Sequence, residues 1–397
     1  MSSDAGSPLA RPLTLPCGAT LANRIAKTAT SEALATEHML PHAEHARLYA
    51  RWAAGGAGLL VTGNVMVDPA RRAARGDVAL HEGSPRRPFE DWARAAKPAA
   101  VWMQLGHPGR QSPRALDREP VAPSAVRLGT GLVIFATPRA LTGEEIETVV
   151  RAFAESAARA KAAGFDGVQL HAAHGYLLHQ FLSPRTNLRT DAWGGTPAKR
   201  RRMLLATIAA VRARVGNAFP IAVKTSAPLP DEARGEADAL DVACALRDAG
   251  VDLLELTGGT YEHDLLLGRR AATRDRREAY FAPFAEALRA RVALPLALTG
   301  GFRTPDAMAN AVRSGLADVV GLARPLIVDP DLPRRIFAGE RTRHGVRVAP
   351  LGVKLTDAAM ELAWYVAQVR RLARGEDADV AMPRRRALSL AVRGFLR

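Results

Sequence analysis

The chain has 397 residues, of which 48% are hydrophobic, and its formal net charge is +15. This length and composition are typical of a globular protein with one large domain or two smaller ones. The sequence has no apolar run long enough to cross a membrane, and its start, MSSDAGSPLARP, lacks the features of signal and transit peptides. We therefore expect a cytoplasmic protein with no stable membrane association.

The positive charge does not by itself indicate a nucleic-acid partner. Only six of the 55 basic residues are lysine, and the arginines are spread along an alanine-rich chain, which indicates a compositional bias and not a basic patch. We expect no nucleic acid to bind. The late cluster Arg384 to Arg386 is expected to belong to a solvated or frayed tail, in preference to a membrane-surface or partner-binding helix.

The two cysteines, Cys17 and Cys244, lie far apart in the sequence and in no metal-ligand spacing. Neither a disulfide framework nor an iron–sulfur cluster is indicated. We expect both to be packing residues.

Eight short apolar runs alternate with longer helical patterns. The runs cover residues 23–30, 58–63, 99–106, 165–171, 219–225, 251–259, 294–301 and 317–325. Continuous apolar runs are typical of strands buried on both faces, as in a parallel sheet covered by helices. Eight such units favour an α/β fold, a (β/α)8 TIM barrel. The alternative is a doubly wound open sheet, but no GxGxxG motif follows a strand and opens a helix.

The helices between these runs carry start and stop signals. Thr142 and Glu145 form a capping box, and Gly164 ends that helix just before the next strand. Similar patterns predict helices over residues 198–216, 236–250, 279–291 and 304–315.

The end of the chain is predicted to hold a C-terminal helical extension. We assign residues 1–345 to the barrel and residues 346–397 to a helix and basic tail that pack on the barrel or trail from it. The helix begins near Thr356 and ends before Gly375. Three apolar residues are predicted to share one face of it: Leu362, Val366 and Val369.

Polar residues and glycines follow the predicted strands, at the ends where the catalytic groups of such barrels lie. They are Thr28, Thr30, Ser31, Thr62, Gly63, Gln104, His107, His171, Lys224, Gly300, Gly301 and Arg324. Lys224 interrupts a run that should be buried, and a buried ammonium group is unfavourable without an anion. We therefore expect Lys224 to be functional.

The last two strand ends predict a phosphate site. Backbone N–H groups near Gly300 and Gly301 could bind the anion, and Arg324 could neutralise it. The head of such a ligand would reach Gln104 and Lys224 across the barrel mouth.

The pair His171 and His174 could also suggest a metal. The segment has no nearby carboxylate or cysteine to complete a coordination shell, so we expect no metal site.

Several longer motifs point to one family. They are LANRIAKTATSE, GGAGLLVTGNVMV, WMQLGHPGRQ, AGFDGVQLHAAHGYLLHQFLSPRTNLRTDAWGG, LTGGFRT and VVGLARPLIVDPDL. From about residue 10 to residue 340 the chain resembles the Old Yellow Enzyme family, of the NADH:flavin oxidoreductase or ene-reductase type. The fourth motif is the most specific of these.

The resemblance implies non-covalent FMN and NADH or NADPH as reductant. Hydride would pass from NAD(P)H by way of the flavin to the activated C=C bond of an α,β-unsaturated carbonyl compound. Gln104 would bind the pyrimidine edge of the flavin, and Lys224 would lie at its N1 side. The full set of implied cofactor-binding residues is Thr28, Ala29, Thr30, Ser31, Gly63, Gln104, Lys224, Gly300, Gly301, Ala323 and Arg324.

The resemblance also implies the catalytic residues. His171 and His174 would bind the carbonyl oxygen of the substrate, where two N–H donors stabilise the developing negative charge. Tyr176 would then protonate the α-carbon.

Some positions depart from the family pattern. The first loop more often reads Ala-Pro-Met followed by threonine or cysteine, whereas here it is Thr28-Ala29-Thr30-Ser31. Glu32 stands where a basic or aromatic residue is common. Lys224 replaces an arginine, which keeps the charge but loses the planar guanidinium.

Other interpretations remain open at this point. A tRNA dihydrouridine-synthase-like flavin barrel would explain the positive charge, but it needs a catalytic cysteine beside the flavin, and Cys17 and Cys244 are poorly placed for that role. A barrel that binds FMN without catalysis is a third possibility. Both a monomer and a homo-oligomer agree with the sequence.

Overall fold

The structure is a computed structural model, and it describes six stretches of the chain. They are residues 6–129, 134–228, 235–259, 278–341, 354–383 and 385–387, with the backbone alone at 354–359. The predicted domain boundary at 345 and most of the basic tail, including Arg384, lie outside the described residues.

Eight parallel strands form a closed barrel. In chain order, β1 to β8 are Ile25–Lys27, Leu59–Met66, Ala100–Gly106, Gly167–Ala172, Ile221–Ser226, Leu253–Thr257, Leu296–Thr299 and Val319–Leu322. Each strand pairs with the next in the sequence, and β8 pairs with β1. The predicted TIM barrel is therefore confirmed, and the open sheet is excluded.

Short strands surround this barrel. An antiparallel hairpin of Leu13–Thr14 and Thr20–Leu21 lies at the amino end of the barrel, where its leucines join an apolar cluster with lumen residues such as Leu59. Val78–Ala79 extends the sheet beside β2. Val121–Ala122 pairs with Arg139–Ala140 in a separate two-stranded sheet.

Helices cover the outer face of the barrel. Those described, α1 to α12, are Ala43–Ala54, Arg87–Ala95, Gly143–Ala162, Leu177–Leu182, Pro197–Arg200, Arg202–Val215, Gly235–Asp248, Ala282–Arg289, Pro305–Arg313, Arg324–Val328, Leu332–Phe337 and Lys354–Ala373. Short 3-10 turns occur at Pro8–Ala10 and Gly109–Gln111. In the described part of the chain, no helix is long and apolar enough to span a membrane.

The predicted helices are present, with one difference. The capping box of α3 forms as expected, since the Thr142 hydroxyl accepts from the Glu145 amide and the Glu145 carboxylate accepts from the Thr142 amide. The pattern over 198–216 is two helices, α5 and α6, which meet at Arg201. The Thr196 side chain caps the first of them.

The C-terminal helix α12 packs against α1 and α10. Its buried face is built around Trp364, Ala367 and Val369. The predicted face of Leu362, Val366 and Val369 is buried only toward its C-terminal end: Leu362 is 62% exposed, Val366 is half-buried and Val369 is buried. Residues three, four and seven apart share a helix face, so the three residues lie in line although their burial differs.

Candidate functional site

Three of the predicted site residues lie on neighbouring strands at the carboxyl end of the barrel. Gln104 on β3 neighbours Gln169 on β4, two residues before His171, which in turn pairs in register with Lys224 on β5. Their side chains are buried. Because alternate residues of a strand point to the same side, these polar groups all face the barrel interior. The structure thus brings together the residues expected at the flavin and at the substrate.

The loop after β1 forms another side of the mouth. The Thr28 amide donates to the Leu322 carbonyl at 2.9 Å, which ties the loop to the end of β8. Ala29 and Thr30 are half-buried, and Ser31 is exposed. Among the described residues, the buried hydroxyls of Thr28 and Thr30 have no hydrogen-bond partner. Unsatisfied hydroxyls at a barrel mouth are suited to the polar edge of a bound ligand.

Glu32, at the end of this loop, connects it to β2 and to α1. Its carboxylate accepts from the Gly63 amide at 2.8 Å and from the Tyr49 hydroxyl, and it lies 4.0 Å from the Lys27 ammonium group. A β-carbon added at Gly63 would meet the Glu32 carboxylate at 2.0 Å and the Thr30 carbonyl at 2.6 Å. Gly63 is therefore required within β2, where the loop after β1 packs against that strand.

Lys27 points outward from β1 toward α1. Its ammonium group lies 4.1 Å from the centre of the Trp52 ring and donates to the Val61 carbonyl at 3.1 Å. Burial lowers the pKa of Lys27 to about 8, although Glu32 acts in the opposite direction. Burial, followed by the Glu32 charge, raises the pKa of Tyr49, whose hydroxyl thus stays protonated and able to donate.

A second buried network joins Gln104 to Lys224. The Gln104 side chain donates to Gln169, Gln169 donates to Glu255 on β6, and Glu255 forms an ion pair of 2.9 Å with Lys224. A buried lysine is unfavourable without an anion beside it, and Glu255 is the anion beside Lys224. The Gln104 backbone is also held, because its amide donates to the Thr62 hydroxyl at 2.9 Å.

The two histidines of the predicted catalytic set adopt different tautomers. The His171 Nδ1 atom accepts from the Ala173 amide at 3.2 Å, so the proton of a neutral His171 ring is on Nε2. The His174 Nδ1 atom lies 3.0 Å from the Gly259 carbonyl. A carbonyl can only accept, so His174 carries its proton on Nδ1, and its Nε2 atom is an acceptor.

Both rings are neutral at physiological pH. Burial lowers the pKa of His174 to about 3, with Lys224 as the next cause, and burial with the nearby His174 holds the pKa of His171 well below its usual range. The Tyr176 ring lies 4.5 Å from the His171 ring. The structure therefore assembles one N–H donor and one phenol side by side.

His174 also has an unusual backbone. Its φ angle is 57°, in the left-handed region, and its amide donates to the Ser226 hydroxyl at 3.0 Å. A non-glycine residue rarely adopts this conformation unless the surroundings hold it there. These contacts fix the direction of the turn that leads to Tyr176.

The residues predicted to bind a phosphate differ in their surroundings. Gly300 and Gly301 both have positive φ angles, and added β-carbons would meet the rings of Phe281 and Tyr280 at 2.8 Å. The Glu278 carboxylate accepts from the amides of Arg303 and Thr304, and it thereby occupies the start of α9. Because these amides already donate to Glu278, a phosphate bound here would have to accept from the backbone amides of Gly300 and Gly301.

Arg324 contacts the C-terminal helix. Its guanidinium lies 2.7 Å from the Glu361 carboxylate and 5.8 Å from the centre of the Tyr365 ring, while Ala323 before it is half-buried. The role of Arg324 at a phosphate stays a prediction.

His107 lies after β3 and is buried. Its Nε2 atom has no hydrogen-bond partner among the described residues and lies 3.9 Å from the Asp68 carboxylate. Burial lowers the pKa of this ring to about 4. His107 is therefore neutral, and its Nδ1 atom accepts from the Gly109 amide.

Four residues of the site were not predicted from the sequence. They are Lys27, Tyr49, Gln169 and Glu255. Lys27 and Glu255 each interrupt an apolar strand pattern, in the same way as Lys224, and that signal could have identified them. Tyr49 lies within an ordinary helical pattern, and nothing in the sequence marked it.

These residues fit FMN. The mouth offers unsatisfied hydroxyls at Thr28 and Thr30, an amide side chain at Gln104 and a buried cation at Lys224. A flavin has hydrogen-bonding groups along one edge of its ring system, and such a set of donors and acceptors matches that edge.

Comparisons with known proteins agree with this geometry. The NADH:flavin oxidoreductase / NADH oxidase family matches residues 8–343. An NADH-dependent flavin oxidoreductase of Talaromyces variabilis is 39% identical over 411 residues, covering 92% of this chain and 98% of the relative. A second, from Neonectria sp. (strain DH2), is 38% identical and covers 90% of this chain; the chain spans about half (51%) of that relative.

Solved structures show the same likeness. Morphinone reductase is 26% identical with a TM-score of 0.72, covering 90% of this chain and 97% of that protein. An Old Yellow Enzyme homologue from Zymomonas mobilis is 27% identical with a TM-score of 0.72, covering 84% of this chain and 94% of that one. The chain therefore belongs to the NADH:flavin oxidoreductase / NADH oxidase family, and within it to the Old Yellow Enzyme type of oxidoreductases, whose cofactors are FMN and NAD(P)H.

Proposed function

We propose that the chain is an ene-reductase that uses NADH to reduce the activated C=C bond of α,β-unsaturated carbonyl compounds. The observation that carries this proposal is the pair formed by the His171 N–H donor and the Tyr176 phenol at the barrel mouth. NADH is preferred in the proposal because the relatives from Talaromyces variabilis and Neonectria are named NADH-dependent.

The residues proposed to hold FMN are those of the predicted set. Gln104 and Lys224 would bind its pyrimidine edge, Thr28 to Ser31 and Gly63 would line the ring, and the remaining four would lie at the phosphate: Gly300, Gly301, Ala323 and Arg324. When bound, FMN supplies the hydride transfer chemistry that no amino-acid side chain can perform.

The chain's own residues supply the polar part of the reaction. When hydride adds to the β-carbon of an enone, negative charge develops on the carbonyl oxygen, and the Nε2–H group of neutral His171 can donate to it. Tyr176 can give its hydroxyl proton to the α-carbon, because the developing enolate is a strong base. His174 presents an acceptor at Nε2, which suits a hydroxyl or amide N–H group of a bound molecule.

The positions of the cysteines count against the tRNA-modifying alternative. Cys17 lies beside Asp252, which directly precedes β6 at the amino end of the barrel, opposite the mouth. Cys244 lies on α7. Neither thiol is at a strand end where it could protonate a base beside a flavin.

The proposed function is tested with purified protein and a set of cyclic enones. We expect protein saturated with FMN to oxidise more NADH under anaerobic conditions than the single equivalent that reduces its FMN only when an enone is present, and the saturated ketone to appear in an amount equal to this additional NADH. Replacing the enone with the matching saturated ketone is the control. A protein that binds FMN but forms no saturated product from any enone would refute the proposal.

The role of Tyr176 is tested separately by Tyr176→Phe. This change removes the hydroxyl and leaves the ring packed on His171, so we expect enone turnover to fall by about a hundred-fold, as for loss of a general acid. Phenol binding and NADH oxidation with quinones, which need no carbon protonation, are expected to remain near wild type. Equal enone rates in the two proteins would show that the proton comes from another group.

A further inference from the structure

We propose that Glu255, acting through Gln169, is a positioning residue that fixes the orientation of the Gln104 amide and limits the positive charge that Lys224 presents to a bound flavin. This inference rests on the proposed FMN site. It concerns residues beneath that site, which do not themselves line the mouth.

Glu255 lies at the centre of a buried chain of contacts across five strands. One of its carboxylate oxygens lies 2.9 Å from the Lys224 ammonium group and accepts from the Thr299 hydroxyl at 2.9 Å. The other accepts from the Gln169 side chain at 2.7 Å, and Gln169 accepts from Gln104 at 2.6 Å. Glu255 is 1% exposed, so no solvent takes the place of these partners.

The donor and the acceptor of each amide hydrogen bond in this chain of contacts are fixed. An ionised carboxylate can only accept, so Gln169 must turn its NH2 group to Glu255 and its carbonyl oxygen to Gln104. Gln104 must then use one N–H group for Gln169. Its carbonyl oxygen is therefore directed away from this network and is available as an acceptor for an N–H group of the ligand.

Glu255 also changes the charge at the mouth. Lys224 and Glu255 form an ion pair in which both side chains are at least 95% buried, since they are 5% and 2% exposed. A ligand that becomes more negative on reduction is stabilised by a nearby cation, and a carboxylate 2.9 Å from that cation offsets part of the effect. The pair should therefore favour oxidised FMN more than Lys224 alone would.

A purely structural role for Glu255 makes a different prediction. If Glu255 contributes only to the stability of the fold, its loss should lower stability and leave the preference between oxidised and reduced FMN unchanged. The midpoint potential of bound FMN measures that preference directly, because it depends on the ratio of the two affinities. It is thus the measurement that separates the charge role from a purely structural one.

The test is Glu255→Gln, compared with Asp252→Asn. Asp252 is also a buried carboxylate, adjacent to the same strand, and it accepts from the Ile221 amide and pairs with Arg212, both at 2.8 Å, at the opposite end of the barrel. We expect Glu255→Gln to favour reduced FMN by tenfold or more, which raises the midpoint potential of a two-electron couple by about 30 mV. The control should lower the melting temperature and leave the potential unchanged. A Glu255→Gln potential equal to or below that of the wild type would overturn the charge role.

A second variant, Gln169→Leu, tests the orientation role and keeps the Lys224 to Glu255 ion pair. We expect oxidised FMN to bind the FMN-depleted protein about tenfold more weakly, as measured by flavin fluorescence, with little change in potential. Affinity within twofold of the wild type would overturn the orientation role, even if Glu255→Gln failed to fold. A wild-type protein that takes up no FMN would instead refute the proposed function itself.

Discussion

Replacing His171 with alanine is expected to slow enone reduction by about a hundred-fold or more, which is the usual cost of losing one donor to a developing oxyanion. His174→Ala is expected to cost less. The reason lies in the hydrogen bonds of the free rings: His171 has its proton on Nε2, whereas His174 uses its Nδ1 proton for the Gly259 carbonyl. Two histidines that look equivalent in the sequence thus offer a donor and an acceptor.

Steady-state rates at saturating NADH and enone would measure this difference. FMN content and melting temperature are determined for both variants, so that a loss of cofactor or fold is not mistaken for a loss of catalysis. Phenol affinity gives an independent measure of the oxygen site, and it should fall more in His171→Ala. Equal losses in the two variants would show that His174 releases Gly259 and donates to the substrate as well.

The barrel could be predicted from the sequence because each strand leaves a local signal. Runs such as 99–106 and 165–171 are largely apolar, and each matches a strand of the closed sheet to within two residues. Capping signals such as Thr142 with Glu145 depend only on residues three apart, so they too are visible in one dimension. Signals of this kind depend on residues that are close in the sequence, so they can be recognised without the tertiary structure.

The supports of the site could not be predicted in the same way. Glu32 looked like a departure in a substrate-binding loop, but it is buried beneath that loop and bound to Gly63 and Tyr49. Glu255 and Gln169 alternate with apolar residues on strands whose inward direction is set by the register of the closed barrel. Such partners come from distant parts of the chain, and only the tertiary structure brings them together.

The histidine tautomers also could not be predicted from the sequence. Which nitrogen of His174 carries the proton depends on the Gly259 carbonyl, 85 residues away. The expectation that both histidines donate to one oxygen stays a prediction, but the contacts of the free protein support only His171 as a donor.

The same contacts predict that the protein unfolds steeply in weak acid. Among the described residues, five histidines are neutral in the folded state: His45, His107 and His171, which are buried, and His174 and His179, which are half-buried. Burial is the largest cause in each case, and it lowers the pKa to about 3 for His45 and His174, to about 4 for His107 and His179, and well below the usual range for His171. In the unfolded chain their pKa returns to about 6.5.

The sign follows from proton uptake on unfolding. Below pH 6.5 the unfolded chain binds protons that the folded protein cannot, so stability is present above pH 6.5 and is lost as the pH falls toward 4. Asp77 acts in the opposite direction, because burial raises its pKa to about 7 and the folded state then binds one proton more. A net uptake of about four protons reduces the free energy of unfolding by about 5 kcal/mol per pH unit.

Most of the stability of a typical domain, about 5–15 kcal/mol, would therefore be lost before pH 4. Urea unfolding followed by circular dichroism at pH 7.5, 6.5, 5.5 and 4.5 would measure the slope. His45→Gln provides a matched variant, because His45 packs on Trp92 within the α1 region and lies outside the proposed FMN site. We expect this change to reduce the slope by about 1.4 kcal/mol per pH unit between pH 6 and 4, since one titrating group is removed. A free energy of unfolding that stays constant from pH 7.5 to 5.5 would show that these histidines bind as many protons in the folded protein as in the unfolded chain, and with that result His171 and His174 would have to be treated as cations below about pH 6.5.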